Sequence, residues 1–168
     1  MIRSAVICVR KALSCPIFFV LILSFNALSQ NPIVTENALP GNPISEWGVP
    51  DFRDNRIVGF ATKMSLNRGQ TVRFKISVQS AVSYTLRIYR LGYYGGNGAK
   101  LVANLGTFNG TIQPNGNYNS STGELDCSNW SESASWNIPS SAVSGFYIAK
   151  LERSGGFDLS GSPSIAAR

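Results

Sequence analysis

Histidine is missing from this sequence of 168 residues. Its absence excludes every mechanism that needs an imidazole base and every metal site with a histidine ligand. Charged residues make up only 14% of the chain and hydrophobic residues 43%, which excludes the charge-rich composition of a disordered protein. Beyond the first 29 residues, no apolar run is long enough to span a membrane. Cysteine is scarce as well, at three residues.

The first 29 residues have the three parts of a secretory signal peptide. A basic region precedes an apolar stretch at 16–25, and the small residues Ala27 and Ser29 come just before Gln30. We expect cleavage near Ser29–Gln30 and a secreted, periplasmic or extracellular product, with an uncleaved anchor as the alternative. Cleavage would remove three of the 15 basic residues and none of the nine acidic ones, which leaves a net charge of +3. It would also leave Cys127 as the only cysteine. An intrachain disulfide, nucleic-acid binding and, after cleavage, membrane attachment are therefore not expected.

Several segments after residue 56 alternate apolar and polar side chains with the period of two that is typical of β-strands. The predicted strands are Ile57–Thr62, Thr71–Val78, Ser83–Leu91, Leu101–Leu105, Ser133–Ile138 and Gly145–Arg153. Short strands separated by turn residues predict an all-β protein, an immunoglobulin-like antiparallel β-sandwich. The predicted organisation is a signal peptide at 1–29, an extended lead-in at 30–56 with an edge strand near Ile33–Asn37, the sandwich at 57–153 and an irregular tail at 154–168.

The short connection Gln79–Val82 predicts that Thr71–Val78 and Ser83–Leu91 pair as a hairpin. The outward side chains of the two strands would then form one basic, partly aromatic face, able to bind an acidic glycan or a protein partner. Its members are Arg73, Lys75, Arg87 and Tyr89. The competing interpretation is an ordinary solvated sheet face.

Two connections are long, the glycine-rich Gly92–Lys100 and the polar Phe108–Trp130. A polar connection of the second kind is usually functional or poorly ordered. After Arg153 the apolar residues are too scattered for a further strand. We therefore expect the sandwich to lack its last strand and to expose a strand edge, which would lower its stability and allow self-association.

One stretch is distinctive: Ile88–Lys100 reads IYRLGYYGGNGAK. Weaker motifs accompany it at Asn31–Val34 with Glu36–Asn37, Gly41–Pro43 with Ser45–Trp47, Gly59–Thr62, Gly69–Val72, Thr122–Trp130, Ala134–Trp136 and Val143–Tyr147. Together, from about Asn31 to Arg153, they resemble the N-terminal sandwich region of proteins related to the large (beta) subunit of N,N-dimethylformamidase.

This resemblance implies that the chain is the front part of a larger architecture. Relatives continue into a large C-terminal region, where the resemblance places a metal-dependent amidohydrolase site with iron held by tyrosine and glutamate. That region has no counterpart that can be placed on this sequence, so the chain is interpreted as a truncated member or a gene fragment. Relatives often have a second cysteine just before the position of Cys127, and here Asn117–Asn119 stands there instead.

Six side chains are candidates for binding a ligand or docking a neighbouring domain. They are Tyr89, Arg90, Tyr93, Tyr94, Trp47 and Trp130. The leading hypothesis is a secreted, non-catalytic accessory domain that docks to a catalytic region; no catalytic residue, metal ligand or cofactor is predicted. The alternative is an extracellular carbohydrate-binding or adhesion module that uses these aromatic side chains.

Overall fold

The computed structural model describes residues 31–48 and 56–153, together with the backbone of residues 164–167. The predicted signal peptide, part of the lead-in and most of the tail lie outside the described residues. The described elements are α1 Pro32–Asn37, α2 Ile44–Trp47, β1 Ile57–Ala61, β2 Thr71–Val78, β3 Ser83–Leu91, β4 Ala99–Asn109, β5 Asn117–Asn119, β6 Glu124–Asp126, β7 Ala134–Asn137, β8 Tyr147–Arg153 and β9 Ser164–Ala167. Within this part of the chain, no helix is long and apolar enough to cross a membrane.

The strands form two antiparallel sheets and one small hairpin. The first sheet has the order β1–β2–β7, the second has the order β4–β3–β8–β9, and β5 pairs with β6 alone. The core between the sheets is built mainly from Val72, Phe74, Ile76, Val78, Tyr84, Leu86, Ile88, Ala149 and Leu151. The prediction of an all-β, antiparallel sandwich is confirmed, and this division of strands between two sheets is immunoglobulin-like.

The predicted hairpin between Thr71–Val78 and Ser83–Leu91 is wrong. These two strands belong to different sheets, because β2 pairs with β1 and β7 while β3 pairs with β4 and β8. Both strands carry a large apolar face, and opposing the two faces across the core buries them from water. Arg73 and Arg87 therefore lie in different sheets, and the single basic face expected from a hairpin does not form.

The expectation that the sheet has no strand after Arg153 is also wrong. Strand β9 pairs with β8 over four residues, with Ala167 opposite Tyr147 and Ser164 opposite Lys150. Its sequence, Ser-Ile-Ala-Ala, is too short to show an alternating pattern. The edge of β8 predicted to be open is thus covered along half of the strand.

The edge strand predicted near Ile33–Asn37 is replaced by helix α1. Asn31 caps this helix, since its side-chain oxygen accepts a hydrogen bond of 3.0 Å from the backbone N–H of Ile33. Pro32 occupies the first turn, where the missing N–H costs nothing and the fixed φ favours a helix. The prolines of this region exclude a long helix but not short ones. A second short helix, α2, begins directly after Pro43.

The polar segment 110–133 is fastened to β2 by the buried side chain of Gln113, which is 8% exposed. Its amide nitrogen donates to the carbonyl oxygens of Ile76 at 3.2 Å and Ser131 at 3.0 Å. Its amide oxygen accepts from the backbone N–H of Ser131 at 3.0 Å. Lys75 also donates to the carbonyl of Ser128 at 2.9 Å. These polar bonds fix the course of the segment against β2.

Candidate functional site

The distinctive stretch Ile88–Lys100 forms the end of β3, a 3₁₀ turn at Tyr94–Gly96 and the start of β4. Tyr94 has a φ of 43°, and the glycines of the turn also have positive φ, a region that glycine adopts without steric cost. The turn brings the Tyr94 hydroxyl to Arg90, four residues earlier. Both side chains are buried, with Tyr94 0% and Arg90 3% exposed.

Arg90 joins three parts of the fold. Its Nη1 donates to the hydroxyl of Tyr94 at 2.8 Å and to Oδ1 of Asn37 at 3.0 Å. Its Nη2 donates to the carbonyl oxygen of Ser144 at 2.8 Å. A Cβ added to Gly145 would lie 3.0 Å from Nε of Arg90, so the absence of a side chain there allows this close approach. One guanidinium therefore connects β3, α1 and the loop before β8.

Glu36 completes what we call the Arg90 cluster: Glu36, Asn37, Arg90, Tyr94 and Lys100. One oxygen of Glu36 accepts from the Tyr94 hydroxyl and from Nζ of Lys100, both at 3.1 Å. Burial raises the pKa of Tyr94, and the hydrogen bond from Arg90 offsets only part of this effect. The phenol therefore stays protonated, and its O–H group donates a hydrogen bond to Glu36. The cluster holds two cations and one carboxylate.

A second set of contacts holds α2 against the outer side of β3 and β8. The carbonyl oxygen of Glu46 accepts from Nζ of Lys150 at 2.6 Å and from the hydroxyl of Tyr89 at 3.3 Å. The indole N–H of Trp47 donates to the carbonyl oxygen of Asn97 at 3.0 Å. Burial is also the main reason why the pKa of Tyr89 is raised. The segment before β1 is thus bonded to the sandwich at both of its helices.

The structure brings four of the six predicted site residues to this region. They are Tyr89, Arg90, Tyr94 and Trp47. All four form hydrogen bonds within the chain. Trp130 is elsewhere: its ring centroid lies 5.8 Å from that of Phe60 on β1, and its N–H donates to the carbonyl of Pro114 at 2.8 Å.

Tyr93 is the predicted residue that faces solvent, with 70% of its surface exposed. Phe146 lies at the same end of the sheet and is 59% exposed. The backbone N–H of Leu91 donates to the carbonyl oxygen of Phe146 at 2.8 Å, which places the start of β8 next to the end of β3. Tyr93 and Phe146, together called the aromatic end, are thus carried on backbone that the Arg90 cluster holds in place.

Glu36, Asn37 and Lys100 lie within the motifs noted in the sequence but were not predicted as site residues. The first two lie in the segment predicted to be extended, and the available signal was the Asn31–Pro32 pair that starts α1. Glu36 and Lys100, but not Asn37, line a cleft of about 260 Å³ beside the Arg90 cluster, and the wall of this cleft includes Tyr147. Burial raises the pKa of Tyr147, as it does for Tyr94.

A metal ion does not fit the Arg90 cluster. Tyr94 and Glu36 offer a phenol and a carboxylate, but their oxygens already bind Arg90 and Lys100. The positive charges of Arg90 and Lys100 would repel a metal ion bound beside them. Among residues 31–48 and 56–153, no three histidine, cysteine, aspartate or glutamate side chains are grouped to hold a metal ion.

A family model described as "N,N-dimethylformamidase beta subunit-like, C-terminal" matches residues 85–160. This part of the chain is related to that family. The match runs from β3 past β8 and includes the distinctive stretch with Arg90 and Tyr94. Because the description names the C-terminal part of these proteins, the expected assignment to their N-terminal sandwich region is not confirmed. No curated protein and no solved structure matches the chain.

Proposed function

We propose that this chain is a secreted, non-catalytic accessory domain of an N,N-dimethylformamidase-like protein, and that it docks to a catalytic region. The family match to residues 85–160 supports the relationship. The observation that carries the docking role is the difference in exposure between neighbouring residues of the distinctive stretch. Arg90 and Tyr94 are buried and bonded inside the chain, whereas Tyr93 beside them is 70% exposed.

The aromatic end has the character of a docking surface. Exposed aromatic side chains are enriched at protein interfaces, because they bury a large area with few rotatable bonds. Tyr93 and Phe146 stand on backbone fixed by the buried bonds of Arg90 to Tyr94 and Ser144. A partner would therefore order little of this backbone on binding, which favours affinity.

The register of β9 also supports docking at this end. Ala167 lies opposite Tyr147, at the start of β8 and therefore next to Phe146. Strand β9 thus runs towards the aromatic end. A region that followed β9 in a longer protein would begin there, within reach of Tyr93 and Phe146.

A direct assay tests the non-catalytic part of the proposal. The purified chain is incubated with N,N-dimethylformamide and related small amides, with iron supplied, and release of the amine is measured. We expect no turnover above the rate without protein. Turnover above that rate, lost on heat denaturation, would contradict the proposal.

A binding measurement tests the docking part. The chain is immobilised, and the catalytic region of an N,N-dimethylformamidase large subunit is passed over it in a surface plasmon resonance experiment. Replacing Tyr93 and Phe146 with alanine should weaken binding at least about tenfold, as loss of interface anchors does. Tyr118→Ala is the matched control, since Tyr118 is 68% exposed on the separate β5–β6 hairpin. Equal affinity of both variants would contradict docking through the aromatic end.

Secretion is tested by the N-terminus of the exported protein. Expression in a bacterial host, followed by N-terminal sequencing of the periplasmic or extracellular product, should give a chain beginning at Gln30. A product that retains Met1 and stays with the membrane fraction would favour the uncleaved anchor.

A further inference from the structure

A second cleft opens between the two sheets, next to the loop that precedes β8. It has a volume of about 400 Å³, and we call it the inter-sheet cleft. Apolar side chains form its inner wall: Val72, Phe74, Ile88, Trp136, Ile138 and Ala149. Its size and its apolar interior fall in the range of clefts that bind small molecules.

The outer part of the inter-sheet cleft is polar. Ser65, Asn67 and Arg68, in the connection between β1 and β2, line it there. Arg68 is exposed, and its guanidinium forms no hydrogen bond or ion pair with the described residues. An apolar interior with a single unpaired cation in its lining is complementary to a molecule with an apolar body and one anionic end.

We propose that the inter-sheet cleft binds a small amphipathic carboxylate. The apolar body enters between the sheets beside Trp136, and the carboxylate pairs with Arg68. A guanidinium suits this role because its planar set of N–H donors matches the two oxygens of a carboxylate. This binding function differs from the docking role at the aromatic end, since neither Tyr93 nor Phe146 lines the cleft, although Gly145 and Tyr147 on either side of Phe146 do.

The test uses decanoate as the anionic probe and decan-1-ol as the neutral probe of the same chain length. Each is titrated into the full chain at pH 7, and binding is followed by calorimetry and by tryptophan fluorescence. Decanoate should bind saturably and change the emission of Trp136, and Trp136→Phe should abolish that fluorescence change. Absence of saturable decanoate binding overturns the proposal.

Two pairs of variants locate the site. Arg68→Ala should weaken decanoate binding about three- to fivefold, the effect of one exposed ion pair, and leave decan-1-ol unaffected. Lys63→Ala removes a nearby cation that does not line the cleft and should change neither. Ser65→Trp should obstruct the cleft, whereas Met64→Trp, beside it and outside the lining, should not. Equal effects within either pair overturn the assignment, and far-ultraviolet circular dichroism checks that each variant is folded.

Discussion

Replacing Arg90 with methionine tests the central role assigned to this side chain. Arg90 is 3% exposed, and its guanidinium donates to Tyr94, Asn37 and the carbonyl of Ser144, at 2.8 to 3.0 Å. Methionine fills part of the volume but leaves these acceptors without a donor. Of the two cations in the Arg90 cluster, only Lys100 would then remain to balance the charge of Glu36. Removing one member of a buried, bonded charge network costs about 3 to 5 kcal/mol.

Urea unfolding measures this cost. With a slope of about 1.5 kcal/mol/M, the midpoint should fall by roughly 2 to 3 M. Hydrogen exchange should show the loss first in α1, at amides such as that of Ala38, since Arg90 bonds this helix to the sheet through Asn37. The control is Arg73→Met, which removes an exposed ion pair with Glu132 and should cost only about 0.2 to 1 kcal/mol. Equal midpoints for the two variants would refute the reasoning.

Three further perturbations test other parts of the fold. Gly98→Ala should cost about 2 to 3 kcal/mol in urea unfolding, because its φ is +82° and a Cβ would lie 2.8 Å from the ring of Trp47. Gln113→Leu should cost about 1 to 3 kcal/mol and speed hydrogen exchange in segment 110–133, because buried groups lose their partners. Raising the pH should lower the urea midpoint, since burial raises the pKa of Tyr84 and of three other tyrosines above 10.0. Their contribution is fully present below pH 10 and is lost as the pH rises further, because the unfolded chain releases these protons first.

Gly123 has a φ of +72°, but an added Cβ would meet open space, so Gly123→Ala should cost only about 1 kcal/mol. Equal costs at Gly98 and Gly123 would argue against the contact with the indole ring. Gln70→Leu alters an exposed amide and should leave exchange in segment 110–133 unchanged. A urea midpoint that stays constant from pH 8 to pH 11 would contradict the effect assigned to Tyr84.

The strands with strict alternation were predictable from the sequence. Thr71–Val78 and Ser83–Leu91 have the predicted bounds, because one face of each is buried and the pattern of burial repeats the pattern of side chains. Their pairing was not predictable in this way. Alternation shows which side of a strand is buried, but either a hairpin or a crossing to the facing sheet can bury it.

The Arg90 cluster was predictable only in part. The distinctive stretch pointed to Arg90 and Tyr94, but their partners depend on contacts between distant segments. Asn37 lies 53 residues from Arg90, in a helix too short to show a periodic pattern. The carbonyl of Ser144 is a backbone group, and no residue type marks it. Arg90 and Tyr94 were expected to bind a ligand, but both are buried and form hydrogen bonds that hold α1 against the sheet.

The hydrogen bond between Lys150 and the carbonyl of Glu46 spans 104 residues. In a chain that is exported before it folds, as proposed above, both ends of this loop are present from the start, and the contact forms at the entropic cost of closing the loop. The bond to Lys150 needs β8 in its sheet, so the amino-terminal segment is among the last parts of the fold to be secured.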